Sequence, residues 1–308
     1  MKIAVYGAGG IGAYFGGRLA QAGADVHLIA RGAHLDALNS EGLHVKSIHG
    51  DFAVDLPATN DPADIGTCDV VLVCVKSFDT RAVADNMDPL LDDDTAVISL
   101  QNGVENEDHL VAEIGRDRVL GGVTYIFSTI ADPGVIEHTD GPARIVYGEL
   151  DGSRTQRIER FDELCQNADG MEGVLSEEIW TELWNKYTFI SAMSGVTAAI
   201  RLPIGAIRDV EESWDLFVGL LEEARDVAAA EGVHVTDDVI EEWIEFARGF
   251  DYDTYSSLHY DLTNGKRMEL EALQGTIVRK ADEHGIEAPI SRTVYSILRP
   301  WAEKNSSG

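Results

Sequence analysis

Apolar and polar positions follow two rhythms along this chain. In the first half, short apolar runs alternate with amphipathic stretches. Lys2-Ile3-Ala4-Val5-Tyr6, Asp25-Val26-His27-Leu28-Ile29-Ala30, Asp69 to Val75 and Thr95 to Leu100 read as strands. The last two are almost continuously apolar, as expected of strands buried on both faces of a parallel sheet. Ile11, Phe15 and Leu19 form one apolar stripe of a helix after the first strand, and residues 79–90 also read as a helix. Leu43 to Lys46 with Phe52 to Val54 predicts a hairpin. Val119 to Ser128, Val135 to His138 and Arg144 to Tyr147 predict shorter strands. This alternation predicts an α/β fold with a doubly wound sheet. From Ser176 onward the rhythm is helical, over residues 177–199, 211–231, 236–247, 254–264, 269–284 and 290–299. Gly232, Gly249, Gly265 and Gly285 mark helix ends. The pattern predicts an α/β domain over residues 1–171, an all-helical domain over 172–308, and a frayed polar tail from Lys304 to Gly308.

The first strand runs directly into Gly7-Ala8-Gly9-Gly10-Ile11-Gly12, which opens the first helix. G-x-G-x-x-G between a strand and a helix is the fingerprint of a Rossmann-like dinucleotide site. Its glycines allow the tight turn, the approach of a pyrophosphate and the packing of helix on strand. The helix start offers free N–H groups to the phosphates. The second strand ends at Arg31-Gly32-Ala33, with no acid before Asp36. A carboxylate there would bind a ribose 2′-hydroxyl and repel a 2′-phosphate, whereas a guanidinium binds the phosphate. The expected cofactor is therefore NADPH, on residues Gly7 to Gly12 and Arg31.

Charge narrows the partners. Acidic residues number 54 against 24 basic, for a net charge of −30, and only seven of the basic residues are lysines. Such a surface repels nucleic acid and anionic membranes, so neither is an expected partner. The scattered carboxylates resemble those of proteins from salt-loving archaea, where salt screens the self-repulsion. Cys68, Cys74 and Cys165 form no C-x-x-C pair and read as reduced residues of a cytoplasmic protein, with Cys74 in the core. The nine histidines have no metal spacing, so no metal is expected. The longest apolar run, Val70 to Val75, is too short to span a membrane, and no signal peptide is read. A homodimer is expected only from the general frequency of dimers.

A nicotinamide enzyme needs a proton donor or acceptor beside the hydride path. Lys186 falls in the apolar helical segment Leu183-Trp184-Asn185-Lys186-Tyr187. It either snorkels to the surface or lies in a cleft, where desolvation lowers its pKa toward working pH. Lys76 and Asn102 each follow a buried strand, at the carboxyl ends where ligands gather in open α/β sheets. Asn102-Gly103 can also be a plain turn.

Together these residues resemble the ketopantoate reductase family, whose NADPH-dependent enzymes reduce 2-dehydropantoate to pantoate for pantothenate and coenzyme A synthesis. The resemblance covers nearly the whole chain. It rests on the N-terminal glycine motif, Lys76, Asn102-Gly103, L-W-x-K at Leu183 to Lys186, Ser256-Ser257, and Glu269 twelve residues after Ser257. It implies a C-terminal domain similar to that of 6-phosphogluconate dehydrogenase, with the active site in the cleft between the domains. By position, Lys186 matches the general acid, Asn102 a residue on both the nicotinamide and the substrate side, and Ser257 a substrate-binding serine. Glu269 matches a carboxylate near the cofactor ribose, while Arg31 and Lys76 match basic residues around the adenosine phosphate.

The chain departs from the family's better-known branch at three places. Ile190 and Ser194 stand one and two turns after Lys186 where asparagines are expected, and Ile204 stands where a further substrate asparagine is expected. Ser194 remains a candidate substrate contact. Residues 186, 190 and 194 share a helix face, so the wall beside Lys186 is more apolar. Loss of partners for a substrate hydroxyl weakens discrimination strongly. Ser191 to Arg201 resembles a second branch that commonly carries the same name. The alternatives are reduction of another 2-oxo acid on the same fold, and a non-catalytic NADPH sensor.

Overall fold

The computed structural model describes residues 1–306 and divides into two compact units. One comprises Met1–Gln101 and Asn106–Ile179; the other comprises Asn102–Glu105 and Trp180–Gly308. Ser307 and Gly308, at the end of the expected tail, lie outside the described residues.

The first unit runs β1 (Lys2–Tyr6), α1 (Gly10–Gln21), β2 (Asp25–Ile29), α2 (Gly32–Glu41), β3 (Leu43–Ser47), β4 (Phe52–Val54) and β5 (Ala58–Thr59). It continues through β6 (Val70–Val73), α3 (Thr80–Ala84), β7 (Ala96–Ser99), α4 (Asn106–Ile114), β8 (Val119–Asp132), β9 (Val135–Glu149), α5 (Gln156–Gln166) and β10 (Glu172–Leu175). All ten strands form one sheet in the order β4-β3-β9-β8-β7-β6-β1-β2-β5, with β10 on β9. The pairs from β5 across to β8 are parallel, and the order reverses beside β1, as in a doubly wound sheet. Every residue of β6 and β7 is buried, which is why their sequences are apolar without alternation. The expected β3–β4 hairpin forms, with Leu43 opposite Val54.

Several elements differ from the pattern's expectation. The strands expected at 135–138 and 144–147 are one strand, β9, antiparallel to a longer β8. The polar stretch between them stays in the sheet, because register shifts near Asp140 and a left-handed Gly141 (φ +89°) absorb it as a bulge. The helix expected over 79–90 is only α3 followed by a 3-10 turn, Asp88–Leu90, which carries Pro89 in its first turn, where a missing N–H costs nothing. Helices α2, α4 and α5 lie where no helix was expected. Cys74 lies just past β6 and is half-buried, not inside the core strand. The first unit extends to Ile179 instead of ending near 171, because Glu172–Leu175 pairs in parallel with Arg144–Tyr147.

The second unit contains α6 (Ile179–Ile200), α7 (Ile204–Arg208), α8 (Glu211–Ala230), α9 (Asp237–Arg248), α10 (Ser257–Thr263), α11 (Thr276–His284) and α12 (Pro289–Ser306). Apolar residues occur on all sides of α6, and Leu183, Trp184, Tyr187, Phe189, Ala192, Met193 and Val196 are buried. Such a helix is a core element. Thr236 and Ser256 cap α9 and α10 by accepting from Val239 N and His259 N. The helix expected over 269–284 is two pieces, a π-helical turn at Glu271–Gly275 followed by α11. α7 was not expected. α12 continues through Pro300 and includes Lys304 to Ser306 of the expected frayed tail.

Candidate active site

In the first unit, β1 delivers Gly7 at φ +102°, a conformation that favours glycine. The N–H groups of Gly7 and Ala8 both donate to Ile29 O, at 3.1 and 3.0 Å, which ties the turn to the end of β2. α1 then starts with Gly9 as its N-cap and no side-chain cap, so no side-chain acceptor takes up the first N–H groups there. A Cβ on Gly12 would lie 2.3 Å from the Gly7 carbonyl oxygen, and one on Gly10 would lie 2.2 Å from the Ser128 carbonyl oxygen. One on Gly9 would meet nothing within 4 Å. Gly10 and Gly12 therefore serve packing, on β8 and on the loop itself. Gly9 borders open space beside an uncapped helix start, which fits a pyrophosphate.

Arg31 is the exposed N-cap residue of α2; its carbonyl accepts from Leu35 N at 3.4 Å, and its guanidinium makes no hydrogen bond or ion pair among the described residues. Its charge is felt by Tyr6, whose pKa is raised by burial while Arg31 acts to lower it and Asp61 to raise it. Asp61 is a carboxylate the sequence reading passed over. Its Oδ1 already accepts from Ala63 N at 2.9 Å. Lys76 is exposed and precedes the short turn Ser77–Asp79. The neighbouring Val75 carbonyl is held by Gln101 Nε2 at 3.0 Å, and the same nitrogen donates to Thr80 Oγ1 at 2.8 Å.

His34 is a second residue that sequence reasoning missed. Gly134 N donates to its Nδ1 at 3.0 Å, so Nε2 carries the proton and donates to Ala8 O at 2.8 Å. The imidazole thus links the glycine loop to the β8–β9 turn, and burial lowers its pKa toward the neutral form. No motif flagged it, because its partners are backbone groups 26 and 100 residues away.

In the second unit, Lys186 is the sole basic residue of α6, and its Nζ donates to Asn102 Oδ1 at 3.0 Å. Burial pushes its pKa down to about 8, opposed by the nearby charge of Glu269. Glu269 is itself only 6% exposed. Asn102 follows β7 in sequence but belongs to the helical unit, not to the domain over 1–171 in which the sequence reading put it. The segment turns at Gly103, where φ is +113°.

Ser194, two turns after Lys186, is 4% exposed, and its hydroxyl makes no hydrogen bond among the described residues. Ile190, between them, is half-buried. Ser256 spends its hydroxyl on capping α10 and accepting from Thr197 Oγ1 at 2.7 Å. The hydroxyl of the exposed Ser257 has no such bond. Ile204, where the family pattern has a substrate asparagine, is 0% exposed and packs in the core.

A glycine-loop α/β unit and a helical unit holding a lysine, an amide and a carboxylate together define a nicotinamide-dependent oxidoreductase. The family model for ketopantoate reductase PanE/ApbA matches residues 3–152, and that for its C-terminal part matches 178–302. The chain belongs to the ketopantoate reductase family. It is 32% identical to the Bacillus subtilis protein named uncharacterized oxidoreductase YkpB, over 99% of this chain and 100% of that one. It is also 32% identical to the 2-dehydropantoate 2-reductase of Archaeoglobus fulgidus, over 97% of each chain. The crystal structure of a PanE/ApbA family ketopantoate reductase from Ralstonia eutropha JMP134 superposes with a TM-score of 0.91 at 34% identity, covering 99% of this chain and 100% of that one. These relatives span bacteria and archaea, so they do not single out a salt-loving source.

Proposed function

We propose that the chain reduces 2-dehydropantoate to pantoate with NADPH, and that Lys186 donates the proton. The carrying observation is the Lys186 ammonium, partly desolvated, on the Asn102 carbonyl with buried Glu269 nearby. Membership of the family supports the reaction. Bound NADPH supplies the hydride that adds to C2 of the 2-oxo acid. Lys186 then has two tasks. Its charge stabilises the negative charge that grows on the keto oxygen, and its proton ends on that oxygen to give the alcohol. A pKa near 8 suits both, since the lysine is charged at neutral pH yet parts with a proton readily. Asn102 orients the ammonium, Ser194 and Ser257 offer hydroxyls to the substrate, and Glu269 stands by the cofactor ribose. Gly7 to Gly12 hold the pyrophosphate, while Arg31 and Lys76 take the adenosine phosphate.

Steady-state kinetics over a panel of branched and hydroxylated 2-oxo acids tests this reading. 2-Dehydropantoate is expected to have the highest kcat/KM. A second reading, a different 2-oxo acid, is favoured by Ile190, which sets an apolar side chain one turn from Lys186; a clear preference for another acid would establish it. Among the described residues no helix is long and apolar enough to cross a membrane. The substrate is a small molecule, and the assembly we expect is a homodimer. The carboxylate excess is read as adaptation to salt, so activity is expected to be retained in multimolar KCl and to fall at low salt.

Arg31→Asp tests cofactor choice. It removes the guanidinium and adds a carboxylate that accepts from a 2′-hydroxyl. NADPH affinity is expected to fall by about 100-fold, roughly 2.7 kcal/mol, with NADH affinity unchanged or better. An unaltered NADPH/NADH ratio in fluorescence titrations would withdraw the assignment of the 2′-phosphate to Arg31.

A further inference from the structure

The segment that carries Asn102 is held at its far end by side chains that no motif marks. Three residues after Asn102, Glu105 Oε2 accepts from Thr276 Oγ1 and from Arg279 Nη2, both at 2.6 Å. Arg279 also donates from Nη1 to Glu271 Oε2 at 2.9 Å and from Nη2 to the Glu271 carbonyl at 3.0 Å. Glu271 is fixed in turn by Tyr295 OH, at 2.9 Å on Oε1, and by Arg299. Between the two ends, Val104 is 2% exposed.

We propose that Glu105, Thr276 and Arg279 form a positioning clamp that holds the Asn102 carbonyl on the Lys186 ammonium. The clamp acts through Asn102 and touches neither substrate nor cofactor. Three features support it. Gly103 gives the segment a left-handed turn that does not by itself direct a side chain, so the aim of Asn102 depends on its anchors. The anchor is charged and geometrically specific: one guanidinium spans Glu105 and Glu271. The clamp also binds the carboxylate form. Burial acts to raise the Glu105 pKa, but the Thr276 hydroxyl and the Arg279 guanidinium outweigh it and the pKa is lowered. The partner side of the clamp lies in and just after the π-helical turn Glu271–Gly275, an irregularity that often marks functional positions. Tyr187, next to Lys186, donates to the Leu273 carbonyl of that turn at 2.5 Å. Both ends of the Lys186–Asn102 pair are therefore referred to one short stretch of backbone.

The inference rests on the reading of Lys186 as proton donor, and its test separates the two. The Lys186 titration is read without turnover, by NMR of protein labelled with 13C-lysine, with the signal assigned by its loss in Lys186→Gln. An amide oxygen on the ammonium stabilises the charged form, so its loss lowers the pKa. Glu105→Gln and Thr276→Val are each expected to lower the Lys186 pKa by about half a unit, and Thr276→Ser to restore it. In kinetics, Glu105→Gln is expected to reduce kcat by about tenfold with KM for NADPH within about twofold, and to add nothing to Asn102→Ala. Additive effects of Glu105→Gln and Asn102→Ala, or an unmoved Lys186 titration in Glu105→Gln, would overturn the clamp. A wild-type protein that reduces no 2-oxo acid, but whose Lys186 titration shifts in Glu105→Gln, would overturn the catalytic reading and leave the clamp standing.

Discussion

Lys186→Met is expected to lower kcat by about 10²- to 10⁴-fold, the range that a positioned proton donor contributes. Methionine keeps the length and much of the volume of the lysine stem, so α6 should fold around it. NADPH affinity, read by fluorescence titration, should stay within about threefold, because the group is needed in the transition state and not for holding the cofactor. The wild-type pH profile follows from the same residue. Burial pushes the Lys186 pKa down to about 8, and the acid must be charged to donate. Activity is therefore expected to be level below pH 8 and to fall about tenfold per unit above it. In Lys186→Met that alkaline limb should vanish along with the rate. Equal losses in kcat and NADPH affinity, with a profile unchanged in shape, would make Lys186 a structural residue.

The second large effect separates two glycines of one motif. Gly12→Ala forces a methyl group to within 2.3 Å of the Gly7 carbonyl oxygen, with Val5 Cγ1 and Cys74 Cβ at 2.8 and 3.0 Å. Those are a backbone atom and tightly packed side-chain atoms close to the backbone that cannot swing aside, so α1 must move off β1. Overpacking of this kind costs about 1–3 kcal/mol, and urea unfolding should show it before any ligand is added. Gly9→Ala is the opposite case. Its backbone, at φ −77° and ψ −165°, suits alanine, and the added methyl group meets nothing within 4 Å. It should unfold at the wild-type urea concentration while its NADPH dissociation constant rises at least about tenfold, or 1.4 kcal/mol. If Gly9→Ala binds NADPH normally, the open space beside α1 does not hold the pyrophosphate.

How much of this was legible in advance depends on the range of the interactions. The glycine loop, the buried strands β6 and β7, and the lysine in an apolar helix are local patterns, and each could be read from a few neighbouring residues. The bulged β9 and the π turn before α11 are not local. They arise where sheet pairing or helix packing overrides what two separate apolar runs or a regular helical rhythm suggest. His34 escaped notice for the same reason, since nothing near it in sequence announces a bond to Gly134. The burial of Ile204 was equally out of reach, since its position in the family pattern says nothing of how deeply the folded chain encloses it.

By itself, the order of apolar and polar residues determined that an α/β sheet unit precedes a helical one. The motifs determined the family, because hydrophobic period and glycine spacing are written over a few residues each. Tertiary structure alone decided that Asn102 belongs with the helices, that its oxygen meets Lys186, and that Glu105 is tied to Arg279. Those pairings join residues 84 and 174 positions apart. Only the folded chain brings such groups together, and only burial there moves a lysine pKa toward neutrality.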